Sequence, residues 1–315
     1  MAIKRRQKKK KMKRRPRVRA PRQAACRVKL SECARNYALA QAMPFSKAIG
    51  PVCIPDTQVS VSQKAVLYAK GTMVCGTTGN GFIIAKTRNP THNGSAFTAT
   101  TINSVFATNT LFGNATVLQD SDWASNMSTT TLDLGLTAFR CAALGIRLTY
   151  MGTELDRSGR YLSLNTPDNS SLVQAGINLD TMSILPLART RRVTNAPFAT
   201  TYRVVDNADT GYSNATDEFH NIGLAVIGAE VGASFYFEVT GYYEYKGQNW
   251  GGTKSHSDPS GFAAAQEILS LSTGEAATEN GLLSQIGEAI SSTASYVVSN
   301  PQILDAGKMV YDRYA

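Results

Sequence analysis

The chain has 315 residues, 43% of them apolar and 18% charged, with 33 basic and 23 acidic side chains and a formal net charge of +10. That composition excludes a wholly disordered polymer, and the lack of any run of 18 apolar residues predicts no membrane-spanning helix. Five cysteines without a C-x-x-C pair predict reduced thiols rather than a disulfide scaffold or a zinc module.

Thirteen of the first 23 residues are Lys or Arg: Lys4, Arg5, Arg6, Lys8, Lys9, Lys10, Lys11, Lys13, Arg14, Arg15, Arg17, Arg19 and Arg22. Arg27 and Lys29 bring the total to 15 before the first acidic residue, Glu32. Removing them leaves 18 basic against 23 acidic residues in the other 285, a net charge of −5. The positive charge therefore belongs to residues 1–30. So dense a block of like charge cannot bury enough apolar surface to offset its ordering entropy, and a disordered arm is expected, about 100 Å long at full extension. Each cation that meets a phosphate releases a counterion, so the expected partner is nucleic acid, bound strongly at low salt and without sequence preference. Import into the nucleus or nucleolus and attraction to anionic lipid are the simpler uses of such a run, which is longer than import requires.

Ser31 can cap a helix through the Ala-rich stretch that ends at Pro44. From about Thr57 to Lys246 apolar and polar residues alternate between Gly, Asn, Asp and Pro clusters, which predicts strands joined by turns. Strands are expected at Ala65 to Cys75, Gly81 to Lys86, Leu144 to Met151, Tyr161 to Leu164, Thr200 to Val205, Ile222 to Gly228 and Phe235 to Lys246. In "LGIRLTYM", Leu144, Ile146, Leu148 and Tyr150 share one face; in "FYFEVTGYYEYK", Phe235, Phe237, Val239, Tyr243 and Tyr245 do, with Glu238, Thr240, Tyr242, Glu244 and Lys246 opposite. "GTTGNG" (Gly76 to Gly81) reads as a hairpin turn, Asn89 to Thr131 as an excursion, and "SSLVQAGINLDTM" as a helix between strands. Beyond a Gly/Ser/Pro-rich exit, Pro259 to Leu271 and Gly281 to Val298 are predicted helices. The second is amphipathic; packing against the protein itself is the expected use of its apolar face, since three basic and seven acidic residues from Gly251 to Ala315 suit an anionic membrane poorly.

No catalytic constellation emerges, so the expectation is a protein that is not an enzyme. "ADTG" (Ala208 to Gly211) matches an aspartic-protease loop, but its polar setting would not desolvate a carboxylate pair, and Asp-Thr-Gly is ordinary turn chemistry. His92, His220 and His256 lie in polar, loop-like contexts without ligand spacing. No cofactor is expected. Calcium would have to draw oxygens from Asp120 and Asp122 or Asp206 and Asp209, pairs more simply read as solvated.

Three phrases carry a resemblance: "AMPFSKAIGPVCIPD" (Ala42 to Asp56), "FRCAALGIRLTYMGTELDRSGRYLSL" (Phe139 to Leu164) and "FYFEVTGYYEYKG". Together they resemble the capsid proteins of small icosahedral positive-strand RNA viruses of the nodavirus-like and tombusvirus-like group. The resemblance implies an all-β fold, an eight-stranded antiparallel jelly-roll sandwich with a disordered basic N-terminal arm and short C-terminal helices. Residues 1–30 would be the RNA-binding arm, 31–250 the shell domain and 251–315 a helical tail. It also implies partners: copies of the chain in a closed shell, and genomic single-stranded RNA gathered by inward-hanging arms, in a virion built in the host cytoplasm. Fifteen charges on each of about 180 copies would supply roughly 2,700 positives for phosphates. The chain departs from the group in lacking a second β-rich run for a projecting domain. It also departs at the C-terminal cleavage bond, where Asn300 precedes Pro301 and Asn280 precedes Gly281. Three rivals remain at this stage: the jelly-roll shell protein of a small single-stranded DNA virus, a nucleic-acid-binding protein that does not assemble, and an aspartic protease acting through Asp209.

Overall fold

The computed structural model describes residues 31–56, 61–87, 96–98, 116–117, 123–125, 138–166, 178–185, 188–202, 211–212, 220–247, 253–254 and 257–271. In chain order these form α1 (Glu32–Ala42), β1 (Val61–Val74), β2 (Gly81–Lys86), β3 (Ala96–Thr98), β4 (Thr116–Val117), β5 (Trp123–Ser125), β6 (Ala138–Tyr150) and β7 (Arg160–Thr166). There follow α2 (Leu179–Ile184), β8 (Arg189–Arg192), β9 (Phe198–Thr201), β10 (Asn221–Ile227), β11 (Ser234–Lys246), β12 (Thr253–Lys254) and α3 (Pro259–Leu271).

Two antiparallel sheets result. One runs β12-β1-β11-β6-β9 with β5 beside β1, the other β4-β3-β2-β10-β7-β8. Set aside the short β3, β4, β5 and β12, and the eight remaining strands follow the order first-eighth-third-sixth in one sheet and second-seventh-fourth-fifth in the other. Among these eight, each strand lies in the opposite sheet from its chain neighbour, except that β7 and β8 pair within one sheet. Strands first and eighth, second and seventh, third and sixth, fourth and fifth are thus partners, as in a long hairpin rolled up on itself. This is the jelly roll. "GTTGNG" is accordingly a corner and not a hairpin: β1 and β2 belong to different sheets, and Gly79 turns the chain at φ +68° with Ala229 O only 2.0 Å from where a Cβ would stand.

Period-2 alternation sets the core between the sheets. Ala65, Leu67, Ala69 and Met73 of β1 lie beside Tyr243, Val239 and Phe235 of β11, with Leu144, Ile146 and Leu148 of β6 on the far side. Facing them are Ile83, Ala85, Tyr161, Ile222, Leu224 and Val226. Each sheet is also covered outside. Leu179 and Met182 of α2, capped by Asn178 Oδ1 accepting from Thr181 N, close over Phe82, Ile84, Leu162, Leu164 and Ala225. On the other sheet α1 and α3 pack together, with Tyr37 and Phe262 rings 5.7 Å apart.

Several expectations meet a different structure. Tyr242 and Glu244, placed opposite the core in sequence, are buried because the segment after α1 covers that outer face. His220 is buried as well, its ring edge-on to Tyr202 at 5.4 Å. Cys33 and Cys53 are joined in a disulfide, against the expectation of five reduced thiols, while Cys75 and Cys141 are buried and free. Of the stretch "SSLVQAGINLDTM", Leu179 onward lies in the helix Leu179–Ile184 with Asn178 as its cap, and residues 170–177 lie outside the described residues. The excursion after Asn89 contributes β3, β4 and β5. Residues 1–30, the predicted helix 281–298, "ADTG" up to Thr210, His92, His256 and the four candidate calcium aspartates lie outside the described residues.

Candidate functional site

All thirteen cations expected to bind RNA, Lys4 through Arg22, lie outside the described residues, which begin at Ser31. Ser31 caps α1, its Oγ accepting from Ala34 N at 3.1 Å, and its own N–H donates to Asp258 Oδ2 at 3.2 Å. Asp258 in turn opens α3: its Oδ1 accepts from Gly261 N at 2.8 Å and from Ser260 Oγ at 3.0 Å, and Pro259 takes the first helical position. One carboxylate therefore holds the start of α1 and the start of α3. Partial burial acts to raise the Asp258 pKa, but hydrogen bonds from Ser31, Gly261 and Ser260 outweigh it and hold the carboxyl below its ordinary value.

The helical layer is seated by small residues in β6. A Cβ on Gly145 would stand 2.3 Å from Pro44 Cγ, so only glycine admits Pro44 to this face. Tyr242 donates its hydroxyl to Pro44 O at 2.9 Å, and Phe45 lies under the Arg147 guanidinium, 4.5 Å from its ring centroid. Gln41 of α1 donates to Ala142 O at the register shift between β6 and β11, where Tyr242 pairs with Ala143 and Tyr243 with Cys141. That β-bulge reverses the alternation: Leu144, Ile146 and Leu148 face the core, and so do Cys141 and Phe139. Arg140 is thereby turned to the outer face.

There it meets a buried ionic cluster. Arg140 Nε donates to Glu244 Oε2 at 2.7 Å and its Nη1 to Asp56 Oδ2 at 2.5 Å; Glu244 also accepts from Ile54 N at 3.0 Å and Ser62 Oγ at 2.8 Å, with Lys64 Nζ at 3.8 Å. Burial weakens the hold of Arg140 on its proton, but Glu244, Tyr212 and Asp56 overcome that and raise its pKa. Lys64 moves the other way, chiefly by desolvation and against the pull of Glu244. Every carboxylate here is engaged with a cation or a donor, so the cluster fastens the Ile54–Asp56 segment to β1, β6 and β11 and offers no group for acid–base work. Among the described residues no group of three His, Cys, Asp or Glu side chains is placed to hold a metal.

A second concentration of charge has no counterpart in the sequence-based site. All four residues of β8, Arg-Thr-Arg-Arg, are exposed, and the pairing sets Arg192 beside Arg160 and Arg191 beside Tyr161 at the end of its sheet. Three clustered arginines within four residues were the signal available in the sequence; the strand escaped because it lacks the apolar alternation that marks its neighbours.

No protein-family model matches the sequence, and no curated protein matches it. Among solved structures the chain is similar to the infectious bursal disease virus VP2 subviral particle, at TM-score 0.45 and 9% identity over 74% of this chain and 93% of that one. It is similar also to the decameric BFDV capsid protein, at TM-score 0.34 and 11% identity over 60% and 99%. A third likeness is to a human norovirus GI.7 virus-like particle, at TM-score 0.34 and 10% identity over 67% and 37%. None of these three belongs to the nodavirus-like or tombusvirus-like group. Likeness at this level is slight, and the jelly-roll assignment stands on the chain's own strand order.

Proposed function

We propose that this chain is the coat subunit of a virus particle: it assembles with copies of itself into a closed shell and packages single-stranded RNA through Lys4 to Arg22. The observation that carries this reading is the division of charge, 15 cations and no acid in the first thirty residues against a net −5 in the rest. A body of that balance can pack beside its own copies without strong repulsion, while the arm attracts phosphate. The jelly roll supports the reading by giving the arm a rigid mount, and the three quoted phrases point to the same class. In this account the protein acts by binding and assembly and not by catalysis, and its place is the virion.

Electron microscopy of the expressed chain, with nuclease treatment of whatever nucleic acid accompanies it, tests the proposal. Closed particles of uniform diameter holding ribonuclease-sensitive material are expected. Deoxyribonuclease-sensitive contents would replace the RNA assignment, and subunits that stay single at every salt and pH would refute the proposal. Deleting residues 2–22 is expected to leave the body folded and to reduce packaged RNA sharply.

A further inference from the structure

Four hydrogen bonds gather the loops at one end of the sandwich: Ala229 N to Gly79 O, Gly232 N to Cys75 O, Met151 N to Ser234 O and Val193 N to Gly159 O. From this end projects the β6–β7 loop, in which every residue from Met151 to Asp156 is exposed. Leu155 stands 96% exposed between Glu154 and Asp156, and Met151 and Val231 are 58% and 64% exposed. Among the described residues nothing covers this leucine, which stands almost wholly in water between two acids. The local contacts only brace the loop: Arg157 pairs with Glu154 and donates to Asn195 Oδ1, Asn195 donates to Glu154, and Thr153 donates to Asp156. Asp156, Glu230 and Glu154 also bear on Tyr150, whose hydroxyl is raised first by desolvation and then by their negative field.

At the same end a groove of about 470 Å³ opens between β7, β8 and β10. Arg160, Arg191, Arg192 and Thr190 form its wall, and Ile227 supplies an apolar patch. The backbone bends tightly around it, with Gly159 at φ +85° and Gly228 at φ +66°. The groove is therefore cationic with an apolar floor, and the tip is anionic with an apolar point.

We propose that the Glu154–Leu155–Asp156 tip of one copy docks into the Arg160–Arg191–Arg192 groove of the next, which makes this end of the sandwich a heterologous contact between copies. The inference rests on the assembly reading given above. Charge complementarity between two surfaces of the same chain favours a second copy over RNA, because phosphate has no use for Ile227 and leaves Leu155 uncovered. Tip and groove differ, so the contact is head-to-tail, of the kind that forms a ring when the rotation between successive copies closes.

The test uses two full-length chains, Leu155→Cys and Thr190→Cys, dissociated, mixed, reassembled and oxidised, with the unsubstituted chain as blank. A cross-linked dimer at least ~10-fold stronger in the mixture than in either chain alone is expected, since only an interface contact holds the two positions together. Leu155→Cys alone cross-linking as strongly as the mixture would mean that tips meet tips, and particles without a mixed cross-link would mean that they meet nothing here; either overturns the inference. If the unsubstituted chain forms no particles at all, it is the assembly reading that falls.

Charge provides an independent arm. Arg191→Glu with Arg192→Glu is expected to lower particle yield ~10-fold through like-charge contact, and adding Glu154→Arg with Asp156→Arg in the same chain to restore it. Normal particle yield with depleted RNA would make the groove an RNA contact and overturn the proposal.

Discussion

At the scale of single residues the outer face of β6 turns on Arg140. Its side chain is fully buried against Glu244 and Asp56, so removing the cation takes the main positive charge from two buried carboxylates. Arg140→Met should cost about 3–5 kcal/mol, read from urea unfolding of a chain lacking residues 2–22, whereas Lys64→Met, which loses the 3.8 Å pair with Glu244 and hydrogen bonds to Ser62 O and Oγ but leaves Glu244 held by Arg140, Ile54 N and Ser62 Oγ, should cost less, about 1–2 kcal/mol. Equal costs would mean that Arg140 does not bear the cluster. Asp258 makes a different prediction because its pKa is lowered on folding. The stability it contributes is present above its unfolded pKa and is lost as pH falls through the depressed folded value. Thermal midpoints should therefore drop as pH is taken below about 4, and Asp258→Asn should flatten that part of the acid limb. The buried cluster was not legible from alternation alone. Counting back from Leu144 by twos puts Arg140 in phase with the core residues, and only the extra residue at Ala142 turns it outward.

At the scale of elements, what could be read from the sequence was whatever repeats every second residue. Leu144, Ile146 and Leu148, and Phe235, Phe237 and Val239, lie where their spacing placed them, because a sheet between a core and a cover sorts its faces by that period. The second face was harder. Tyr242 and Glu244 look like solvent-facing residues until α1 and Pro44 are laid over them, and that docking depends on the absence of a side chain at Gly145, which no periodicity records. Gly145→Val makes this concrete. Its branched side chain would occupy the place of Pro44, and the relaxation should cost about 1–3 kcal/mol. Limited proteolysis should then cut within 43–56 at a protease level that leaves the unsubstituted chain intact; unchanged cutting would show that the helical layer is not seated through this glycine. β8 marks the other limit of legibility. Four polar residues fail every test for a buried strand, yet Arg189–Arg192 pair with Ser163–Arg160 along their length because β7 offers a free edge.

At the scale of the whole molecule, Ser31, the first described residue after the cationic run in the chain, shares Asp258 with the start of α3. In the function proposed above, attraction of phosphate to the thirteen cations from Lys4 to Arg22 follows from charge density and calls on no fold. Counterion release then sets how binding should respond to salt. Single-stranded nucleic acid gives a slope of about −0.7 in log K against log salt for each phosphate neutralised, so full engagement of the thirteen would approach a slope of about −9. Anisotropy of a labelled RNA oligomer, titrated with the intact chain across a salt series, should give a steep slope bounded by that figure. Replacing every Lys of the arm by Arg should leave it nearly unchanged, because phosphate contacts position without reading bases. Deleting residues 2–22 leaves a body whose net charge is negative, and the slope should collapse with the affinity. Retention of both by the truncated chain would move the nucleic-acid contact to the body, with the arginines around β8 as the next place to look.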